Sequence, residues 1–143
     1  MLISTLLTGK GTSVATIPGD ATVADAVAEL RLHGVGALVV SPDGKRIDGI
    51  VSERDIVRWL SDRNDTSLEE PVVSIMSPTV FTCSPDDDTE SLMAAMTERR
   101  IRHVPVVQDD VLCGIVSIGD VVKSTIEGLE KDRKELFDYI NGR

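Results

Sequence analysis

Ser52 and Asp55 stand three residues apart directly after an apolar run, and Ser117 and Asp120 repeat that arrangement sixty-five residues later. A hydroxyl and a carboxylate at that spacing satisfy the orphan amides of a helix start as a capping box. The same groups can serve a ligand, because an aspartate there accepts both hydroxyls of a ribose while a phosphate finds N–H donors and a favourable dipole. Capping and binding are compatible, and the residues alone leave both open. A second cluster, Arg99, Arg100, Arg102 and His103, crowds the point where a helix is expected to end and a strand to begin. Arg99 and Arg100 can be read as complements to the helix dipole. Arg102 and His103 fall instead in a strand segment, where a purely structural position would be apolar, as Ala37 is in the first copy.

The elements that must hold these residues are written twice. Gly49-Ile50-Val51-Ser52-Glu53-Arg54-Asp55-Ile56-Val57 recurs as Gly114-Ile115-Val116-Ser117-Ile118-Gly119-Asp120-Val121-Val122, so one module is duplicated. Val23, Ala26, Val27 and Leu30 form a helical stripe that Thr89, Leu92, Met93 and Met96 echo sixty-six residues on. Val35 to Val40 answers to Ile101 to Val106 as a short buried strand. The offset falls by one at the glycines because the Ser41-Pro42-Asp43-Gly44 turn carries an extra residue. Each copy therefore reads as helix, strand, turn, strand, helix, preceded by an extended segment at Ser13 to Ile17 or Val80 to Cys83. The expected division is residues 1–65 for the first copy with its N-terminal segment, 66–125 for the second and 126–143 for a C-terminal helix. In that helix Ile126, Leu129, Leu136 and Ile140 make an apolar stripe that should dock on the module or on another subunit. Ser61 to Pro71, rich in Asp, Asn, Ser and Glu, reads as the linker.

With 143 residues, 41% of them hydrophobic, the chain can bury one proper core shared by two half-modules. A net charge of −9 argues against nucleic acid or an anionic membrane as partner, since such binding is dominated by many lysine and arginine contacts. A small anion needs only a local cluster. The start, Met1 to Leu7, lacks a basic n-region and a long apolar run, so the cytoplasm is expected. Cys83 and Cys113 lie far apart with no CxxC and no neighbouring histidine pair, which reads as two reduced thiols and no metal. No nucleophile–base pair or phosphate loop is legible, and two histidines, one of them His33 near a helix end, offer little for acid–base work. A regulator is expected rather than an enzyme.

The doubled Gly-Ile-Val-Ser-x-x-Asp motif, with Ile101-Arg102-His103-Val104-Pro105-Val106-Val107 ahead of its second copy, resembles tandem cystathionine-β-synthase (CBS) domains that form a Bateman module. It looks most like the stand-alone CBS-pair proteins of bacteria and plant organelles. The resemblance covers about Val14 to Lys123 and implies a mixed α/β fold of two βαββα repeats about a pseudo-twofold axis. It also implies a homodimer and an adenine-nucleotide ligand such as AMP, ADP, ATP, NAD(H) or S-adenosylmethionine. The family's ribose-binding aspartate falls on Asp55 and Asp120, and the neighbouring hydroxyl on Ser52 and Ser117. Pro105, Ile118 and Gly119 lie within the matching motifs. The strand residue that contacts phosphate falls on His103, beside Arg102, whereas Gly36 and Ala37 hold those places in the first copy. The tighter site is therefore expected at Asp120. Adenine is expected near Ile17, Leu38, Cys83 and Val104, held by backbone hydrogen bonds because only 3% of the residues are aromatic. Lys10 and Arg54 are further candidates for phosphate. The protein so regulated is not legible. A ligand-free dimerisation scaffold, with Ser and Asp acting only as caps, is the alternative.

Overall fold

The duplicated pattern folds into duplicated structure. The computed structural model describes residues 1–63 and 67–142. The chain runs α1 (Ile3–Lys10), β1 (Thr16–Ile17), α2 (Val23–His33), β2 (Ala37–Val40), β3 (Gly49–Ser52), α3 (Glu53–Ser61), α4 (Thr89–Arg99), β4 (His103–Gln108), β5 (Val111–Ser117) and α5 (Ile118–Ile140). A short 3-10 turn over Val72–Ser74 precedes the second copy. α2 buries Val23, Ala26 and Leu30, and α4 buries Thr89, Leu92 and Met96, so the two stripes face the two cores. Val27, expected in the first stripe, is exposed.

In the first copy β1 runs parallel to β2, and β2 antiparallel to β3, with Ala37 opposite Ser52 and Val40 opposite Gly49. In the second copy β4 and β5 pair antiparallel, with His103 opposite Ser117, and the bulge at Val106/Val107 shifts the register beyond it. The extended segment shrinks there to one parallel bridge between Cys83 and Val106, the counterpart of Ile17 and Val40. Matching bonds confirm the equivalence: Glu53 N–H donates to Gly36 O at 3.0 Å, and Ile118 N–H donates to Arg102 O at 2.8 Å. The mixed α/β, two-repeat fold is as expected.

The segments ahead of the repeats are exchanged. α1 places Ile3, Leu6 and Leu7 in the core built by Leu92, Met96, Val104, Val106, Val116 and Val121 of the second copy. Val72, with Leu68, Ile75 and Met76 beside it, completes the first core. The bridges agree, Leu2 pairing with Asp88 and Pro71 with Thr22. α1 thus precedes the first copy in sequence but packs with the second, with Leu7 against Gly114 of β5. The boundary expected after residue 65 lies outside the described residues. The repeated glycines sit where the exchanged segments cross. A Cβ on Gly49 would meet Met76 Sδ at 2.5 Å and Ser77 O at 2.9 Å, and one on Gly114 would meet Leu7 Cδ1 at 3.0 Å.

The C-terminal stretch is helical. α5 continues without a break from Ile118 to Ile140, because Gly128 stays helical. The stripe does not dock on its own module: Ile126, Leu129, Leu136 and Ile140 are 52%, 64%, 61% and 72% exposed. Among the described residues no helix is long and apolar enough to cross a membrane.

Candidate functional site

Ser52 ends β3 in extended conformation and caps α3, and the cap fixes Asp55 in place. Asp55 N–H donates to Ser52 Oγ at 3.2 Å, and Asp55 Oδ2 accepts from Ser52 N–H at 2.8 Å and Ser52 Oγ–H at 3.0 Å. Both bonds that the carboxylate accepts fall on Oδ2. Oδ1 has no hydrogen-bond partner among the described residues, and Asp55 lines a cleft of about 540 Å³, within the usual range for small-ligand sites. The walls come from both copies: Gly36, Ala37, Ser52, Glu53, Arg54, Asp55 and Arg58 from the first, and Arg99, Arg100, Ile101, Arg102 and His103 from the second, with Ile50 and Ser77 between them.

Local structure aims the cations. Arg100 ends α4 in the left-handed region, φ 56°, where the first copy has Gly34 at φ 62°. A glycine would adopt this conformation without strain. The Arg99 guanidinium lies 4.3 Å from the centre of the Phe81 ring, a cation–π contact that limits its wandering. Gly36 makes room for His103: a Cβ there would lie 3.1 Å from His103 Cε1. Burial holds the His103 imidazole below its ordinary pKa; Lys10 and Arg102 push the same way, against Glu53 and Asp120.

The second aspartate has a different environment. Ser117 and Asp120 form the same capping box, but Lys10 Nζ reaches from the end of α1 to donate to Asp120 Oδ2 and to Ile115 O, each at 2.5 Å. In the first copy the equivalent carbonyl, Ile50 O, accepts Ser77 N–H at 2.9 Å. Lys10 therefore does with an ammonium what the linker does with backbone. Burial alone would raise the Asp120 pKa, but the Lys10 and Ser117 hydrogen bonds outweigh it and hold the carboxyl below the usual range.

This geometry corrects the expected pairing of groups. Arg102 and His103 line the cleft that holds Asp55, although His103 also pairs across the sheet with Ser117 and feels the charges of Lys10 and Asp120. The bare Gly36 and Ala37 are therefore no handicap to the first copy, since the second supplies its charge. Lys10 is spent on Asp120, and Ile118 and Gly119 form the first turn of α5 at that end. Ile17, Leu38, Cys83 and Val104 are 3%, 0%, 8% and 0% exposed and belong to the cores, so none lines the cleft. Pro105 is buried opposite Ile115. Burial raises the Cys83 thiol to about 12, which leaves it unreactive. Sequence reasoning passed over Glu53, Arg58, Ile50, Ser77 and Ile101 as site residues, and left Arg99 and Arg100 open between dipole partners and part of an anion cluster. Arg54 and Arg58 are one helical turn apart beside Asp55, a spacing that carried the signal; nothing in the linker marked Ser77.

Comparison with known proteins follows the same lines. The CBS domain family model matches residues 11–62 and again 72–127. The mitochondrial CBS domain-containing protein CBSX3 of Arabidopsis thaliana is 38% identical over 127 residues, 86% of this chain and 62% of its own length. The chain thus spans less than two thirds of that relative. Among solved structures, the CBS-domain protein ATU1752 of Agrobacterium tumefaciens is 38% identical with a TM-score of 0.84, covering 87% of this chain and 99% of its own. The CBS domain protein PAE2072 of Pyrobaculum aerophilum, solved in complex with AMP, is 32% identical with a TM-score of 0.74, covering 84% and 89%.

Proposed function

Since the chain belongs to the CBS-domain family, its two copies forming one Bateman module, we propose that it is a regulatory module that binds an adenine nucleotide (AMP, ADP, ATP or NAD(H)) in the Asp55 cleft and thereby modulates a partner protein. The observation that carries this reading is one cleft lined by Asp55, whose capping bonds leave Oδ1 without a partner among the described residues, and by five arginines from both copies. The carboxylate is suited to the ribose hydroxyls, and the arginines and His103 to phosphate. A ligand there would bridge the two repeats. It would favour one arrangement of them over another by its differential binding energy, which is how a module without catalytic chemistry passes on a signal.

The complex of PAE2072 with AMP supports the ligand class. The module acts as a homodimer through exposed apolar positions such as Val57 and Leu60 on α3 and Ile126 and Leu129 on α5, and it works in the cytoplasm.

Titration calorimetry with AMP, ATP and NADH tests the reading. Asp55→Asn should weaken the tightest binding event at least tenfold, and Asp120→Asn, which disturbs a site already filled by Lys10, should leave it within a few-fold. The reverse order would show that the main site is built on Asp120.

A further inference from the structure

The charge of the Asp55 cleft is out of keeping with the chain. The protein carries a net charge of −9, yet this cleft gathers Arg54, Arg58, Arg99, Arg100 and Arg102 against only two carboxylates, Glu53 and Asp55. The surplus is three positive charges. Among the described residues none of the five arginines makes an ion pair. The cations line the cleft from two elements, α3 and the α4–β4 junction, with Arg99 resting on the Phe81 ring.

A single phosphate group offers three acceptor oxygens, and one guanidinium fork engages two of them when it binds bidentate. The lining's surplus of positive charge exceeds the roughly two negative charges of a monophosphate, while a chain of two or three phosphoryl groups supplies the missing charge and further acceptor oxygens. The hollow also continues past Arg99 and His103 to a neighbouring recess of about 410 Å³ walled by Thr79, Val80 and Phe81. Arg99, over the Phe81 ring, marks the passage between the two. We infer that the ligand of this cleft is an adenine nucleotide carrying two or more linked phosphoryl groups, selected by charge over the monophosphate. The inference rests on the adenine-nucleotide reading above and specifies its ligand.

Calorimetry of the full chain with AMP, ADP, ATP and inorganic triphosphate separates the two claims. ADP and ATP should bind at least tenfold tighter than AMP, and the gap should narrow as sodium chloride is raised, because the arginines are exposed and screened. Arg99→Gln combined with Arg102→Gln should weaken ADP more than AMP, while a thermal melt shows that the variant is folded. AMP binding as tightly as ADP and ATP would overturn the phosphate-chain inference and leave the adenine reading standing. Inorganic triphosphate binding as tightly as ATP, with adenosine unable to compete, would overturn the adenine reading instead. The comparison of ligands on the unaltered chain decides both without any variant.

Discussion

Replacing Arg100 by glycine should pull stability and ligand binding in opposite directions. The residue sits at φ 56°, ψ 41° at the end of α4, a conformation that costs an L-residue with a Cβ about 1–2 kcal/mol. Glycine removes that strain but loses roughly 0.4–1 kcal/mol more backbone entropy on folding, which leaves a net gain of about 0.5–1 kcal/mol. The helix end itself is untouched, since Arg100 N–H bonds to Met96 O and Thr97 O whatever the side chain, and Gly34 already makes the same turn in the first copy. For a chain of this length the gain corresponds to a rise of roughly 2–4 °C in Tm, read by circular dichroism without ligand. Calorimetry on the same variant should show ADP bound roughly ten- to a hundredfold more weakly, the effect of one charge-assisted contact worth about 1.5–3 kcal/mol. A fall in Tm would show that the Arg100 side chain holds the fold together. Unchanged ADP affinity would remove it from the site.

Gly49→Ala should be more damaging than Gly114→Ala in urea denaturation, about 2–3 against about 1 kcal/mol: the first meets the Ser77 carbonyl inside a paired backbone, the second only the end of the Leu7 side chain. Equal losses would contradict the view that the exchanged linker is the more rigid crossing. The folded-state pKa of His103 lies below its unfolded value near 6.5, so the unfolded chain takes the proton first as pH falls; its contribution is complete above about pH 6.5 and is lost below it. Bound phosphate favours the imidazolium, so nucleotide affinity should rise between pH 7.5 and 6, and His103→Gln should flatten both profiles in melts and titrations; an unaltered profile in the variant would refute the assignment. Truncation after Gly128 removes side chains that are mostly exposed in one chain, Leu129, Leu136, Phe137 and Ile140 among them, and should lower the mass per particle seen by light scattering; an unchanged mass would show that the tail plays no part in assembly.

Much of this architecture is written locally. The three-and-four spacing in α2 and α4, the Ser-x-x-Asp caps at Ser52 and Ser117 and the strands between them depend on near neighbours in sequence, so periodicity and spacing reveal them. The stripe of Ile126, Leu129, Leu136 and Ile140 likewise marks a helix across Gly128, since a helix tolerates one glycine at a cost of about 1 kcal/mol. Which groups meet across the repeats is another matter. The two copies are so alike that α1 could have packed with either core, and Arg102 could have faced either aspartate; the choice turns on apolar volume over β5 and on the room left by Gly36. The same long-range packing put Lys10 on Asp120 and left Asp55 open. The repeated motif therefore determined by itself that there would be two like helix mouths, while their unlike fates were decided by contacts between residues about a hundred positions apart, which no local pattern encodes.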